Sequence, residues 1–181
     1  MSDGVGRVAV YVGIDPGLDG AVAVVCAGGG LLDWCDTPTL EVERRGARRR
    51  EYADAMMARV LGCVAERWMV AGVALEHVHS MPAQGVRSSF TFGVGVGLWR
   101  GIIAGLGLPL SLVAPQRWRG ALLDGMGRDK DASRLRALQL WPASVDVFRR
   151  RRDDGRADAA LMAEWLRRSG GAVVAGDSTP K

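Results

Sequence analysis

Asp15 follows an apolar run, Val8 to Ile14, and precedes Pro16-Gly17. An acid where a buried strand leaves the core is costly unless it is hydrogen-bonded, charge-paired or bound to a cation. Glu76 closes a second apolar run, Val70 to Leu75, in the same way. Asp154 and Asp158 open a late helix four residues apart, and so share one face of it. The first turns of a helix also favour negative charge. Acids at two strand ends and one helix start suit a divalent-metal phosphodiesterase site. Such a set can hold two Mg²⁺ ions through oxygen, each keeping some water, with Mn²⁺ expected to substitute. Two ions about 4 Å apart activate a water on one side of a phosphate and stabilise the leaving oxygen on the other. Singly, each acid has a plainer use, as turn residue (Asp15), strand-end charge (Glu76), N-cap (Asp154) or solvated helix residue (Asp158). One topology satisfies all four at once, and that favours the joint reading. Asp153 competes with Asp154 for the same role, and the choice stays open at this level.

The elements that must position these acids are legible in outline. Val8 to Ile14, Ala21 to Cys26 and Leu31 to Cys35 are short β-rich runs split by turn residues, which predicts an antiparallel three-strand meander. A basic loop is expected from Thr37 to Arg50. A helix is expected over Glu51 to Trp68, with Tyr52, Met56, Val60 and Val64 at helical spacing. Val70 to Leu75 then reads as a fourth strand, parallel to the first because a crossover helix precedes it. Ser88 to Gly105 reads as a helix. Its glycines 93, 97, 101 and 105 form a stripe that serves either close packing on the sheet or a contact between two subunits. Leu110 to Val113 is a fifth strand, Pro115 starts a helix, and Asp129 to Leu140 and Asp154 to Arg168 are the last helices. The pattern describes a mixed-sheet α/β domain over residues 1–169, with a frayed tail over 170–181.

At 181 residues the chain fits one domain with a sizeable core, and 48% hydrophobic residues support a folded globule. No stretch reads as a membrane span or a signal peptide, so a cytoplasmic protein is expected, in a bacterial or phage-infected cell. The net charge of +4 and pI near 9.4 are modestly basic, but the arginines are clustered. Arg44, Arg45, Arg48, Arg49 and Arg50 form one group, and Arg149 to Arg152, including Arg151, precede the late acids. Such runs suit nucleic-acid phosphates, or else form a solvated surface. Cys26, Cys35 and Cys63 have no metal-site spacing and are expected to be small buried side chains. The six tryptophans are expected to anchor the core or an interface.

Four segments in order resemble the RuvC-type Holliday junction resolvases of the RNase H-like superfamily, in look nearest the plant chloroplast and phage branch. They are Val12-Gly13-Ile14-Asp15-Pro16-Gly17; Leu75-Glu76 with its following loop and glycine-bearing helix; Val113-Ala114-Pro115-Gln116-Arg117-Trp118-Arg119 with Gly127-Arg128-Asp129-Lys130; and Ala157-Asp158-Ala159-Ala160-Leu161. The match covers about residues 8 to 168. The resemblance implies an RNase H-like mixed sheet of about five strands and a homodimeric, Mg²⁺-dependent endonuclease that nicks two opposed strands of a four-way DNA junction. It implies Asp15 bridging both metals, Glu76 binding one, Asp154 and Asp158 completing the site, and Lys130 stabilising developing charge or orienting water. The bacterial branch carries an acid or histidine three residues before the final aspartate; here that place is Gly155, and the role passes to Asp154. Arg119 stands where that branch has a lysine, so a phosphate contact is expected, and Arg87, Arg117 and Arg128 are further DNA-contact candidates. The loop after Glu76 is expected to reach the junction centre, with Met81 and Phe90 the candidates to wedge between bases and His79 a weaker one. Alternatives in view are a broader branched-DNA or RNA–DNA hybrid nuclease, a non-cleaving junction-binding protein, and an actin-like ATP-handling enzyme. The last needs a second domain that this length does not hold.

Overall fold

The computed structural model describes residues 7–44, 46–77, 85–126 and 131–170. Strands β1 (Ala9–Ile14), β2 (Ala21–Cys26) and β3 (Leu31–Asp36) form the expected antiparallel meander. The segment 37–50 is not a basic loop. Strands β4 (Thr39–Arg44) and β5 (Ala47–Tyr52) make a separate hairpin, and helix α1 (Asp54–Arg67) starts after Tyr52 rather than at Glu51. Acidic Glu41 and Glu43 of one strand stand opposite basic Arg50 and Arg48 of the other, so a segment that looks loop-like in one dimension alternates opposite charges across two strands. Gly46, at φ 74°, supplies the left-handed turn residue.

Strand β6 (Met69–Glu76) lies parallel to β1, and β7 (Leu110–Val113) parallel to β6, giving the order β3-β2-β1-β6-β7. Residues alternate between the two faces. Val10, Val12, Ile14, Val73 and Leu75 meet α1 and α2 (Val86–Gly105) through Met57, Leu61, Trp99 and Ile103. Ala21, Ala23, Val25 and Ala74 face α3 (Pro115–Leu122), α4 (Ala132–Leu140) and α6 (Asp154–Arg168). The short α5 (Val145–Phe148) and two single-turn 3₁₀ segments, 142–144 and 151–153, have too few residues to leave a periodic signal and were not anticipated.

Helix α6 is buried over most of its length and lies close to the sheet because its contacts are small. A Cβ on Gly13 would run into the carbonyl oxygen of Ala159 and come within 2.7 Å of the Ala163 amide. The glycine stripe of α2 does not serve sheet packing. At 93, 97, 101 and 105 nothing lies within 4 Å of an added Cβ, because this face points away from the one carrying Trp99 and Ile103. The close-packing glycine of α2 is Gly95, against the Tyr52 ring and the Pro16 carbonyl. Trp99 and Trp118 are fully buried core anchors, whereas none of the three cysteines is buried and Cys63 is exposed. Among the described residues no helix is long and apolar enough to cross a membrane. The expected tail beyond Gly170 lies outside the described residues.

Candidate active site

The parallel register pairs Ile14 with Leu75, so Asp15 and Glu76 emerge side by side at the C-terminal ends of β1 and β6. The N-terminus of α6 reaches the same edge. There Asp15, Asp154 and Asp158 line one cavity of about 210 Å³, together with Gly17, Gly20 and Gly155. Gly155 explains the departure from the bacterial pattern. A Cβ there would strike the Asp19 carbonyl, stand 3.0 Å from Gly20 Cα and 3.2 Å from Asp15 Oδ2. No side chain fits at 155 while the turn 15–20 keeps this path.

Asp153 and Asp154 part company. Asp153 is 1% exposed and accepts from the Arg150 backbone amide at 2.8 Å and guanidinium at 2.9 Å, with Arg156 at 3.2 Å. Burial alone would raise its pKa, but the Arg150 hydrogen bonds and the Arg156 charge outweigh it and hold the carboxyl below its usual value. Arg156 continues to Asp36 at 2.5 Å and lies 3.9 Å over the Trp34 ring, tying α6 to the end of β3. Asp154 is exposed and faces the acidic cavity.

The other acids repel one another. Burial, then the charges of Glu76 and Asp158, push Asp15 up to about 7, against a hydrogen bond from the Gly17 amide at 3.2 Å. Burial and Asp158 raise Glu76, while Trp118 and Arg119 oppose the shift. Burial raises Asp158 against Ser133 and Arg119. Two neighbours hold these carboxylates in place. The Trp118 indole N–H donates to Glu76 Oε1 at 3.2 Å, and Arg119 donates to Asp158 Oδ2 at 2.9 Å while lying 4.9 Å over the Trp118 ring. Arg119 is thus engaged with Asp158 rather than free to meet a phosphate. The partnership of Trp118 with Glu76 was not anticipated; its signal in the sequence is a Trp-Arg pair inside a short helix opened by Pro115.

Among the described residues no three His, Cys, Asp or Glu side chains stand close enough together, as they are placed here, to hold a metal ion. The donor set nevertheless fits a hard dication. It is all carboxylate oxygen, Asp158 Oδ1 is buried without a hydrogen-bond partner, and a cation would offset the burial and, after it, the neighbouring negative charge that raise Asp15, Glu76 and Asp158.

Of the DNA-contact candidates, Arg49, Arg50 and Arg87 line one cleft beside Tyr52 and Ser88. The Arg48 side chain is 83% exposed and reaches Glu41 only at 4.0 Å. Phe90, Arg117 and Arg151 are exposed, and Arg44 ends β4. Arg45, His79, Met81, Arg128 and Lys130 lie outside the described residues.

This arrangement is an RNase H-like mixed sheet of the RuvC type. The structure of Thermus thermophilus RuvC in complex with Holliday junction substrate superposes with a TM-score of 0.61 at 18% identity, covering 91% of this chain and 98% of that one. A second Thermus thermophilus RuvC structure gives 0.53 at 17% identity, covering 89% and 96%. In sequence, the chloroplastic Holliday junction resolvase MOC1 of Chlamydomonas reinhardtii is 32% identical over 85 residues. That match covers 47% of this chain but only 10% of the relative's length. No family model matches the chain. The motif resemblance and the structural likeness thus point the same way.

Proposed function

We propose that this protein is a metal-dependent endonuclease that resolves four-way DNA junctions by paired, symmetric nicks. One observation carries the reading: on a RuvC-type sheet, Asp15 and Glu76 leave the neighbouring ends of β1 and β6, and Asp15 shares one cavity with Asp154 and Asp158 of α6. Asp15, Glu76, Asp154 and Asp158 are the residues that would hold two Mg²⁺ or Mn²⁺ ions. Bound there, such ions supply Lewis-acid stabilisation of phosphate oxygens and a water of lowered pKa. The chain's own groups do the positioning. Trp118 orients Glu76, Arg119 holds Asp158, and the Gly17 amide fixes Asp15. Lys130 is assigned the developing charge at the scissile phosphate.

Paired nicks need two sites in one particle, and α2 offers the surface for a homodimer. Val86, Phe90 and Val94 are 88%, 73% and 40% exposed, and the open glycines at 93, 97 and 101 stand beside them. An uncovered apolar helix face of this kind favours association.

The test incubates the protein with a synthetic four-way junction, the matched duplex and an RNA–DNA hybrid, each with Mg²⁺ or chelator. Symmetric nicks giving ligatable duplexes from the junction alone support the reading. Cleavage of the hybrid would make it a general nuclease, and tight junction binding without cleavage a structural binder.

A further inference from the structure

The surface leaving the acidic cavity divides at the turn Leu18-Asp19-Gly20. On one side lies a cleft of about 680 Å³, walled by Arg50 of the β4–β5 hairpin and by Arg150, Arg151 and Arg152 ahead of α6. It shares Leu18, Asp19, Gly20 and Asp154 with the acidic cavity, so the two are continuous. Its cations come from segments about a hundred residues apart, which a merely solvated arginine run would not require.

The charges in this cleft are unequally committed. Arg150 is held by buried Asp153, and Asp36 by Arg156. Arg151 is 91% exposed and reaches Asp131 only at 3.9 Å, and Arg152 projects into the cleft from an exposed position. Arg50 meets Asp19 at 2.5 Å, but both side chains face water, at 44% and 85% exposure. An exposed pair of this kind is weak, whereas a guanidinium–phosphate contact is bidentate and charge-assisted. The wall is also tied to the site. The Tyr52 hydroxyl donates to the Pro16 carbonyl at 3.1 Å, fixing the hairpin to the turn that carries Asp15.

We infer that this cleft binds the phosphate backbone of the DNA strand leaving the acidic site, through Arg50, Arg151 and Arg152. Asp19 acts as an exchangeable counter-ion that occupies Arg50 until a phosphate displaces it. The inference rests on the nuclease reading above and assigns the strand's path on that same site.

The test measures binding of the whole protein to a four-way junction in chelator, where cleavage is suppressed, across a salt series. Arg151→Ala with Arg152→Ala should weaken binding at least tenfold near 0.1 M salt. It should also lower the slope of log K against log salt by about 2, near the value for two lost phosphate contacts. Asp19→Asn should tighten binding about threefold. A charge-matched double variant on the other face of the sheet, Arg59→Ala with Arg100→Ala, should change affinity less than threefold. Equal losses in the two double variants, or an Asp19→Asn protein that binds no tighter than wild type, would overturn the inference. A wild type that binds but never cuts defeats the nuclease reading and leaves the cleft standing. Binding that ignores Arg151 and Arg152 while cleavage persists defeats the cleft alone, and a protein that binds no DNA defeats both.

Discussion

Replacing Asp15 by Asn should abolish cleavage and yet stabilise the metal-free protein. The Asp15 carboxyl moves from 3.8 to about 7 on folding, so the native state takes up a proton. The associated stability is fully present below the unfolded pKa and is lost as pH rises through about 7. The gap of about 3 pH units corresponds to about 4 kcal/mol at pH 8. Solvent screening at this partly exposed position reduces that, and the expected net gain for Asp15→Asn is about 2 kcal/mol. The amide can still accept from the Gly17 N–H through its oxygen, so the turn keeps its hydrogen bond. Urea unfolding in chelator at pH 8 should show the gain, and thermal scans a Tm rise of about 4–8 °C for a chain of this size. At pH 5, where Asp15 is largely protonated in the native state, the gain should fall below about 1 kcal/mol. Added Mg²⁺ should then stabilise the wild type much more than the variant. A variant no more stable than wild type at pH 8 would mean that Asp15 is not a carboxylate held under repulsion, and the site would have to be redrawn.

Three further outcomes are expected. Trp118→Phe removes the donor that holds down Glu76, and a hydrogen bond to a charged group is worth about 1.5–3 kcal/mol. Its stability loss in urea should therefore be greater at high pH than at low pH, because an ionised Glu76 accepts the indole N–H more strongly than the neutral acid does; an equal loss across the pH range would count against it. Asp153→Asn uncouples Arg150 and Arg156, so calorimetry at pH 7 should show a loss of about 3 kcal/mol. That loss should shrink as pH falls through the depressed native pKa, where wild-type Asp153 is itself protonated. Gly13→Ala pushes a methyl onto the α6 backbone and should cost about 3 kcal/mol or prevent folding, while Gly62→Ala, with open space at its Cβ, should gain up to about 1 kcal/mol. Equal effects of the two in denaturant titrations would refute the close β1–α6 contact.

The residue pattern by itself determined the five strands of the main sheet, the longer helices between and after them, and a set of acids at two strand ends and one helix start. These follow from local facts: apolar runs of strand length, helical spacing, and acids placed where a strand or helix exposes a charge. Asp15 and Glu76 stood out because an acid closing an apolar run is conspicuous in one dimension, and Asp158 because it lies one helical turn after Asp154 at a helix start. Pairings between distant segments were not legible. The hairpin at 39–52 passed for a loop because its arginines meet their acids only in the folded chain, Arg48 near Glu41 of the facing strand and Arg50 against Asp19 of a distant turn. The outward face of the α2 glycines was settled by which side Trp99 and Ile103 bury, a property of the sheet rather than of the helix. Only tertiary structure could separate Asp153 from Asp154, since neighbouring residues on a helix point about 100° apart. One turned into the Arg150–Arg156 network and the other toward Asp15. Trp118 became the partner of Glu76 for the same reason: the contact spans 42 residues, and a hydrogen bond at that separation exists only once the core has closed around it.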